Sequence, residues 1–114
     1  MATSTIKCDY KTGTVSSYNG STVTNLTVKQ YGKVVVLNGF ISASLTANTE
    51  TQIATISGVS LPTENVRAVC GVANAAYQHP ADTAYIIVGT SGKISVNSTQ
   101  SGTKAVYFSV SYIA

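Results

Sequence analysis

The sequence contains little of what catalysis or metal binding requires. Its 114 residues include a single histidine, four carboxylates and two cysteines. General acid–base and nucleophilic catalysis depend on these residue types at suitable spacings. The chain also lacks the short signatures of hydrolases, metalloproteases, phosphate-binding loops and dinucleotide-binding folds. We therefore predict a protein that is not an enzyme and that has no resident metal ion or cofactor.

A small carbohydrate-active enzyme is the one catalytic hypothesis that the residues leave open. A glycosidase needs two carboxyl groups that face each other across the sugar, and four carboxylates permit such a pair. Under this hypothesis, replacing Asp82 or Glu64 would abolish turnover. Because the spacing of the carboxylates favours no particular pair, we expect no turnover.

Charge is scarce as well. Charged residues make up 10% of the chain, against about 25% in typical soluble domains. Threonine, serine, asparagine and glycine separate the apolar residues, which predicts a neutral polar surface suited to neutral sugars or to further copies of the chain. The net charge of +3 is scattered without a basic run, which argues against nucleic-acid binding. No stretch is long and apolar enough to insert into a membrane, and the first residues lack the apolar core of a signal peptide.

The two cysteines, Cys8 and Cys70, match no metal-binding spacing. Cys70 lies in the apolar run at residues 66–72, where a buried free thiol is the ordinary expectation. A disulfide between Cys8 and Cys70 is the alternative that the sequence leaves open.

Alternation of apolar and polar residues with a period of two dominates the chain, as a strand with one buried face requires. Glycine-containing turns separate these runs at short intervals, and no helical periodicity is present. The pattern predicts an all-β fold, specifically an antiparallel β-sandwich of the jelly-roll-like type. The apolar members of the clearest runs are Val35, Leu37, Ile41, Ala43 and Leu45, then Ile94 and Val96, and finally Val106, Phe108, Val110 and Tyr112.

The chain divides into an N-terminal segment or adaptor at residues 1–19 and a sandwich head domain at residues 20–114. Two runs in the head domain, at residues 34–37 and 105–108, are apolar at consecutive positions. Such strands are covered on both faces. Either a neighbouring subunit or a loop of the same chain provides the second cover.

The densest group of ligand-binding side chains lies at residues 77–83, between a run of small residues and a strand. Tyr77 offers an aromatic face, and Gln78, His79 and Asp82 offer hydrogen-bonding groups. Pro80 stiffens the segment, and a preordered loop binds at a lower entropic cost. We predict that these four residues bind a ligand such as a sugar. The alternative is a solvated connection in which Asp82 caps a turn and Tyr77 packs on the core.

The C-terminal part of the chain, roughly residues 34–114, resembles the C-terminal head modules of tail-fibre or baseplate proteins in phages and prophages of Gram-positive hosts. Short pieces carry this resemblance, and the most specific are Leu61-Pro62, Gly92-Lys93-Ile94 and Ser111-Tyr112-Ile113. The resemblance implies a jelly-roll-like head, commonly trimeric, that recognises a saccharide on the host surface without enzymatic activity. The chain contains no tryptophan, which several such heads use as a stacking platform.

We therefore expect a homotrimeric receptor-binding domain at the tail of a virion, made in the bacterial cytoplasm without a signal peptide. In a trimer, three weak contacts act together through avidity, so a shallow saccharide site suffices. The main alternative is a structural or decoration module that assembles in the same way and binds no carbohydrate.

Overall fold

The computed structural model describes residues 10–114, which form nine β-strands and no helix. This confirms the prediction of an all-β fold. No helix with the length and apolar character of a membrane span occurs in this range. The strands are β1 (Tyr10–Thr12), β2 (Thr14–Ser17), β3 (Thr22–Tyr31), β4 (Val34–Leu45), β5 (Thr51–Ser57), β6 (Val66–Ala73), β7 (Asp82–Val88), β8 (Lys93–Asn97) and β9 (Gly102–Ile113).

The strands form one antiparallel sheet in the order β1-β3-β4-β9-β6-β7-β8-β5-β2. Strands β6, β7 and β8 are joined by hairpins and β5 lies beside β8, which is a Greek-key arrangement. Only Gly13 separates β1 from β2, yet β1 pairs with β3 and β2 with β5. These two short strands therefore join both edges of the sheet and nearly close it into a barrel, in agreement with the predicted sandwich-like architecture.

The strands of the N-terminal segment lie in this same sheet. The Gly13 amide donates a 2.8 Å hydrogen bond to the Val28 carbonyl, midway between the pairing of β1 and that of β2. Residues 1–9, which include Cys8, lie outside the described part. The domain boundary at residue 19 therefore stays a prediction, although residues 10–17 pair with strands of the head, and the alternative of a Cys8–Cys70 disulfide stays open.

The core is built from the alternating positions that the sequence indicates. Leu37, Ile41, Ile86, Ile94 and Val106 are fully buried inside the barrel, and each such side chain contributes about 1.5–3 kcal/mol relative to exposure. Cys70 belongs to the same cluster. Burial, reinforced by the negative charge of Asp82, raises the pKa of its thiol to about 11, so this sulfur is protonated at neutral pH.

A second, smaller apolar cluster lies on the outer face of the sheet. It contains Phe40, Ala73 and Ala105, with Tyr107 packed against them. The outer side of the run at residues 105–108 is therefore covered by the same chain. The outer side of the run at residues 34–37 differs, because Val34 is exposed.

The crossover from β5 to β6, residues 58–65, is fixed by a polar cluster around the buried side chain of Gln30 at one end of the barrel. The Gln30 side chain accepts a hydrogen bond from the Ser60 amide (2.8 Å) and donates to the Ser60 hydroxyl (3.0 Å) and the Gly32 carbonyl (2.9 Å). The Tyr112 hydroxyl donates to the Ser60 carbonyl at 2.6 Å. We call this end, defined by Gln30, Ser60 and Tyr112, the closed end.

Candidate functional site

An open groove of about 420 Å³ lies on the outer face of β3, β4 and β9, beneath the loop that joins β6 to β7. Its lining combines aromatic rings with amide and hydroxyl groups and includes no Asp, Glu, Lys, Arg or His side chain. We call it the Tyr77 groove, and its residues are Asn25, Thr27, Asn38, Gly39, Phe40, Tyr77 and Tyr107.

The strand register brings the groove residues together. Asn25 of β3 lies opposite Phe40 of β4, and Phe40 lies opposite Tyr107 of β9. One step along the same face, Thr27 lies opposite Asn38. Residues paired in this way share one face of a sheet, with side chains about 5 Å apart. Three neighbouring strands thus form a wall in which one row combines Asn25 with the rings of Phe40 and Tyr107, and the next row is polar.

Gly39 allows the strands to approach closely at this wall. Its φ is +140°, and a Cβ atom there would lie 1.8 Å from the carbonyl oxygen of Asn25. The register of β3 against β4 shifts between Thr22 and Asn25, which is the signature of a bulge. Any residue other than glycine would push Asn25 away from Phe40.

Tyr77 stands over the groove in an uncommon backbone conformation. Its φ is +64°, a left-handed value that is sterically costly for a residue with a bulky side chain. Its amide donates a hydrogen bond to the hydroxyl of Tyr107, and its own hydroxyl accepts one from Asn25 Nδ2 at 3.3 Å. The side chain is 81% exposed. Backbone strain of this kind is concentrated at functional sites.

The three aromatic rings pack as a group. Phe40 meets the Tyr77 ring edge-on, with centroids 5.4 Å apart, and meets the Tyr107 ring in a tilted contact at 4.9 Å. Aromatic faces flanked by a few fixed amide and hydroxyl groups are the usual means of orienting a small ligand in a pocket.

The loop at residues 74–81 is tied to the sheet at several points. Pro80 lies over Gly71, where a Cβ atom would come within 2.7 Å of Pro80 Cγ. The Ala81 amide donates to the Val72 carbonyl at 2.8 Å. Lys104 Nζ donates to the Asn74 side-chain oxygen at 2.9 Å. The loop that bears Tyr77 therefore follows a defined path over β6 and β9.

Of the four predicted ligand-binding residues, the structure places Tyr77 in the groove. Gln78 and His79 follow it in the loop with exposed side chains and do not line the groove. Asp82 starts β7 and accepts hydrogen bonds from Thr99 (2.8 Å) and Ser98 (3.0 Å). These bonds, that of Thr99 first, lower the pKa of the Asp82 carboxyl. Its carboxylate thus braces the loop between β8 and β9.

The sequence interpretation missed most of the groove lining. It gave Tyr107, Phe40, Asn25, Thr27 and Asn38 no role in binding. The sequence did contain one signal: Asn25, Thr27 and Asn38 alternate with the buried positions of β3 and β4, so they face outward. Within residues 10–114, no group of three or more His, Cys, Asp or Glu side chains could hold a metal ion.

Two further outer surfaces expose apolar side chains. Across β1, β3, β4 and β9, the register aligns Tyr10, Tyr31, Val34 and Ile113 in one row, in which Ile113 is 74% exposed. On β6 and β7, Val69 (72% exposed) lies opposite the exposed Tyr85, beside Arg67. Exposed apolar side chains that lie side by side commonly mark an interaction site.

The nearly closed antiparallel barrel has a counterpart among solved structures. The chain superposes on the crystal structure of the head domain of phage bIL170, from a study of the receptor-binding domains of lactococcal phages. The TM-score is 0.71, the sequence identity is 18%, and the alignment covers 92% of this chain and 98% of that one. No protein-family model and no curated protein sequence matches the chain. The resemblance predicted from the sequence is therefore confirmed at the level of the fold.

Proposed function

We propose that the chain is a receptor-binding head at the tail of a phage virion, that it binds a saccharide on the host surface, and that it acts as a homotrimer without enzymatic activity. The observation that carries this proposal is the Tyr77 groove, on a fold shared with a phage head domain.

The lining of the groove suits a sugar ring. The aromatic faces of Tyr77 and Tyr107 pack against the C–H side of a pyranose, and the amides of Asn25 and Asn38 exchange hydrogen bonds with its hydroxyl groups. The clustered rings of Phe40, Tyr77 and Tyr107 supply the aromatic surface that tryptophan would otherwise provide. Gln78 and His79, exposed in the same loop, extend the contact to neighbouring sugar units.

The experiment compares Tyr77→Ala with the wild type in binding to host cells and to a glycan array. We expect binding to fall at least about tenfold, the effect of losing one stacking contact of about 1.4 kcal/mol. Tyr18→Ala is the matched control, because Tyr18 is also exposed but does not line the groove. Equal loss in both variants, or none in Tyr77→Ala, would contradict the proposal.

Self-association is supported by the two exposed apolar surfaces. A cyclic trimer needs two different patches on each subunit, and the Tyr10–Ile113 row and the Val69–Tyr85 pair provide two. Native mass measurement of the wild type at tens of micromolar tests this arrangement. We expect a trimer that Val69→Glu dissociates, whereas the control Thr103→Glu, also at an exposed strand position, leaves it intact. A strictly monomeric wild type would contradict the proposed trimer.

A further inference from the structure

We propose that Tyr107 is a positioning residue that holds Tyr77 in its left-handed conformation before any ligand arrives, an inference that rests on the proposed function of the groove. The juxtaposition that carries it is the hydrogen bond from the Tyr77 amide to the Tyr107 hydroxyl. A loop backbone is thereby held by a side chain of the sheet.

Tyr107 is well placed for this task because its own position is fixed. It lies near the middle of β9, paired with Phe40 of β4 on one side and with Gly71 of β6 on the other. Its ring packs on Phe40 with centroids 4.9 Å apart and joins the outer apolar cluster. The packing of the ring therefore fixes the Tyr107 hydroxyl oxygen where it accepts the hydrogen bond from the Tyr77 amide.

The opposite end of Tyr77 is held as well. Asn25 Nδ2 donates to the Tyr77 hydroxyl at 3.3 Å, and the edge of the ring contacts Phe40. Contacts from three neighbouring strands thus fix the backbone, the ring and the hydroxyl of one exposed residue. A tyrosine with positive φ persists only where its surroundings hold it there.

Gly71 is the second positioning element, because it sets the path of the loop. Its lack of a Cβ atom lets Pro80 lie directly on β6, three residues after Tyr77. Gly71 is also the strand partner of Tyr107. The two residues that shape the loop therefore lie side by side beneath it.

This arrangement has a consequence for binding. A ring that is already oriented loses little conformational freedom when a ligand packs on it, so more of the contact energy appears as affinity. Tyr107 contributes to affinity by this route in addition to any contact of its own with the ligand.

Tyr107→Phe tests the inference, since it removes only the hydroxyl and keeps the ring. In the unliganded protein we expect hydrogen exchange of the Tyr77 amide to accelerate at least about tenfold, while core amides such as that of Ile41 do not change. Binding to host cells falls by about tenfold, the equivalent of one lost hydrogen bond of about 1.4 kcal/mol. Tyr18→Phe, on an exposed tyrosine that lies outside the groove and outside both exposed apolar surfaces, serves as the control and leaves both readouts unchanged.

The two readouts separate this inference from the proposed function. If the wild type binds neither cells nor glycans, the proposed function fails, but amide exchange still reports whether Tyr107 holds Tyr77. Unchanged exchange at Tyr77 in Tyr107→Phe overturns the positioning role, as does faster exchange with undiminished binding. A measurement on the wild type alone is also decisive: a Tyr77 amide order parameter below about 0.6, typical of flexible backbone, overturns the inference even if the variant does not fold.

Discussion

The closed end and the Tyr77 groove use polar side chains in opposite ways. At the closed end, Gln30 is only 6% exposed, and its amide group makes three hydrogen bonds to the chain. In the groove, Tyr77 is 81% exposed, and the amides around it face an open space. A buried polar group that is fully paired specifies one path of the chain. An exposed one remains available to a partner.

The two regions also differ in backbone strain. Three non-glycine residues in the described range have positive φ: Asn19, Asn48 and Tyr77. Asparagine tolerates this conformation because its short side chain makes local hydrogen bonds, whereas tyrosine does not. The fold thus gains stability at the closed end and holds a strained residue at the groove, which is the pattern expected where activity and stability compete.

The largest effect that would test this contrast is expected for Gln30→Met, which keeps the length of the side chain but removes its amide. The Gly32 carbonyl and the Ser60 amide then lose their partner, so the free energy of unfolding should fall by about 2 kcal/mol. Denaturation in urea measures it. The affinity of the folded variant for host cells should not change, because Gln30 does not line the groove.

The matched control is Gln78→Met, the same replacement in the exposed loop, which should alter stability by less than about 0.5 kcal/mol. If both variants lost the same stability, the hydrogen bonds of Gln30 would have no special role in fixing the crossover.

A smaller loss is expected for Tyr112→Phe at the same end. It removes one hydroxyl, which donates to the Ser60 carbonyl at 2.6 Å, and one such bond contributes about 1 kcal/mol. Thermal unfolding would show it against Tyr18→Phe, whose exposed side chain lies outside this end and outside both apolar surfaces, so its hydroxyl should contribute nothing measurable. Equal midpoints for the two variants would indicate that the Ser60 carbonyl finds water instead.

In the groove, backbone strain should make a glycine variant more stable than an alanine variant, the reverse of the order at an ordinary position. The pair Tyr77→Gly and Tyr77→Ala tests this. Both remove the ring and the contact with Phe40, so both should lose binding. Glycine accepts φ of +64° without strain, so Tyr77→Gly should be more stable than Tyr77→Ala by about 1 kcal/mol. At an ordinary position glycine is the less stable of the two. Urea denaturation of both variants decides the sign, and a more stable alanine variant would mean that Tyr77 is not strained.

These differences also explain what the sequence could predict. The strands follow from alternating runs such as Val35 to Leu45, because one buried face is a local property of the chain. The loop at residues 77–83 was recognisable from its composition, and Tyr77 lies in the groove. The meeting of Asn25, Phe40 and Tyr107 depends on the register of three strands, on the bulge between Thr22 and Asn25, and on the close approach that Gly39 allows. Register is a property of pairing over long separations, and no local pattern contains it.

The pieces that carried the resemblance have a structural explanation. Gly92 has φ of +86°, and a Cβ atom there would lie 2.7 Å from the Ile56 carbonyl and 3.2 Å from Leu61. Tyr112 reaches Ser60, the residue before Leu61. The short motifs that looked most specific therefore meet near the closed end, where they keep the crossover in place. They identify the fold, while the ligand-binding residues have to be found from the geometry of the outer face.

The smallest expected effect concerns Asp82, which borders the Tyr77 loop and braces the segment at residues 98–101. Hydrogen bonds from Thr99 and Ser98 hold the pKa of its carboxyl below the usual value. The folded state therefore binds this proton less readily than the unfolded chain does. The resulting stabilisation is complete above the unfolded-state pKa of about 3.9 and disappears as the pH falls through the lower folded-state value. Asp82→Asn keeps an acceptor oxygen but cannot titrate, so the stability difference between wild type and variant should shrink from pH 6 to pH 2. A difference that does not vary with pH would show that the two hydroxyl groups bind the neutral side chain equally well, and the brace would then be independent of charge.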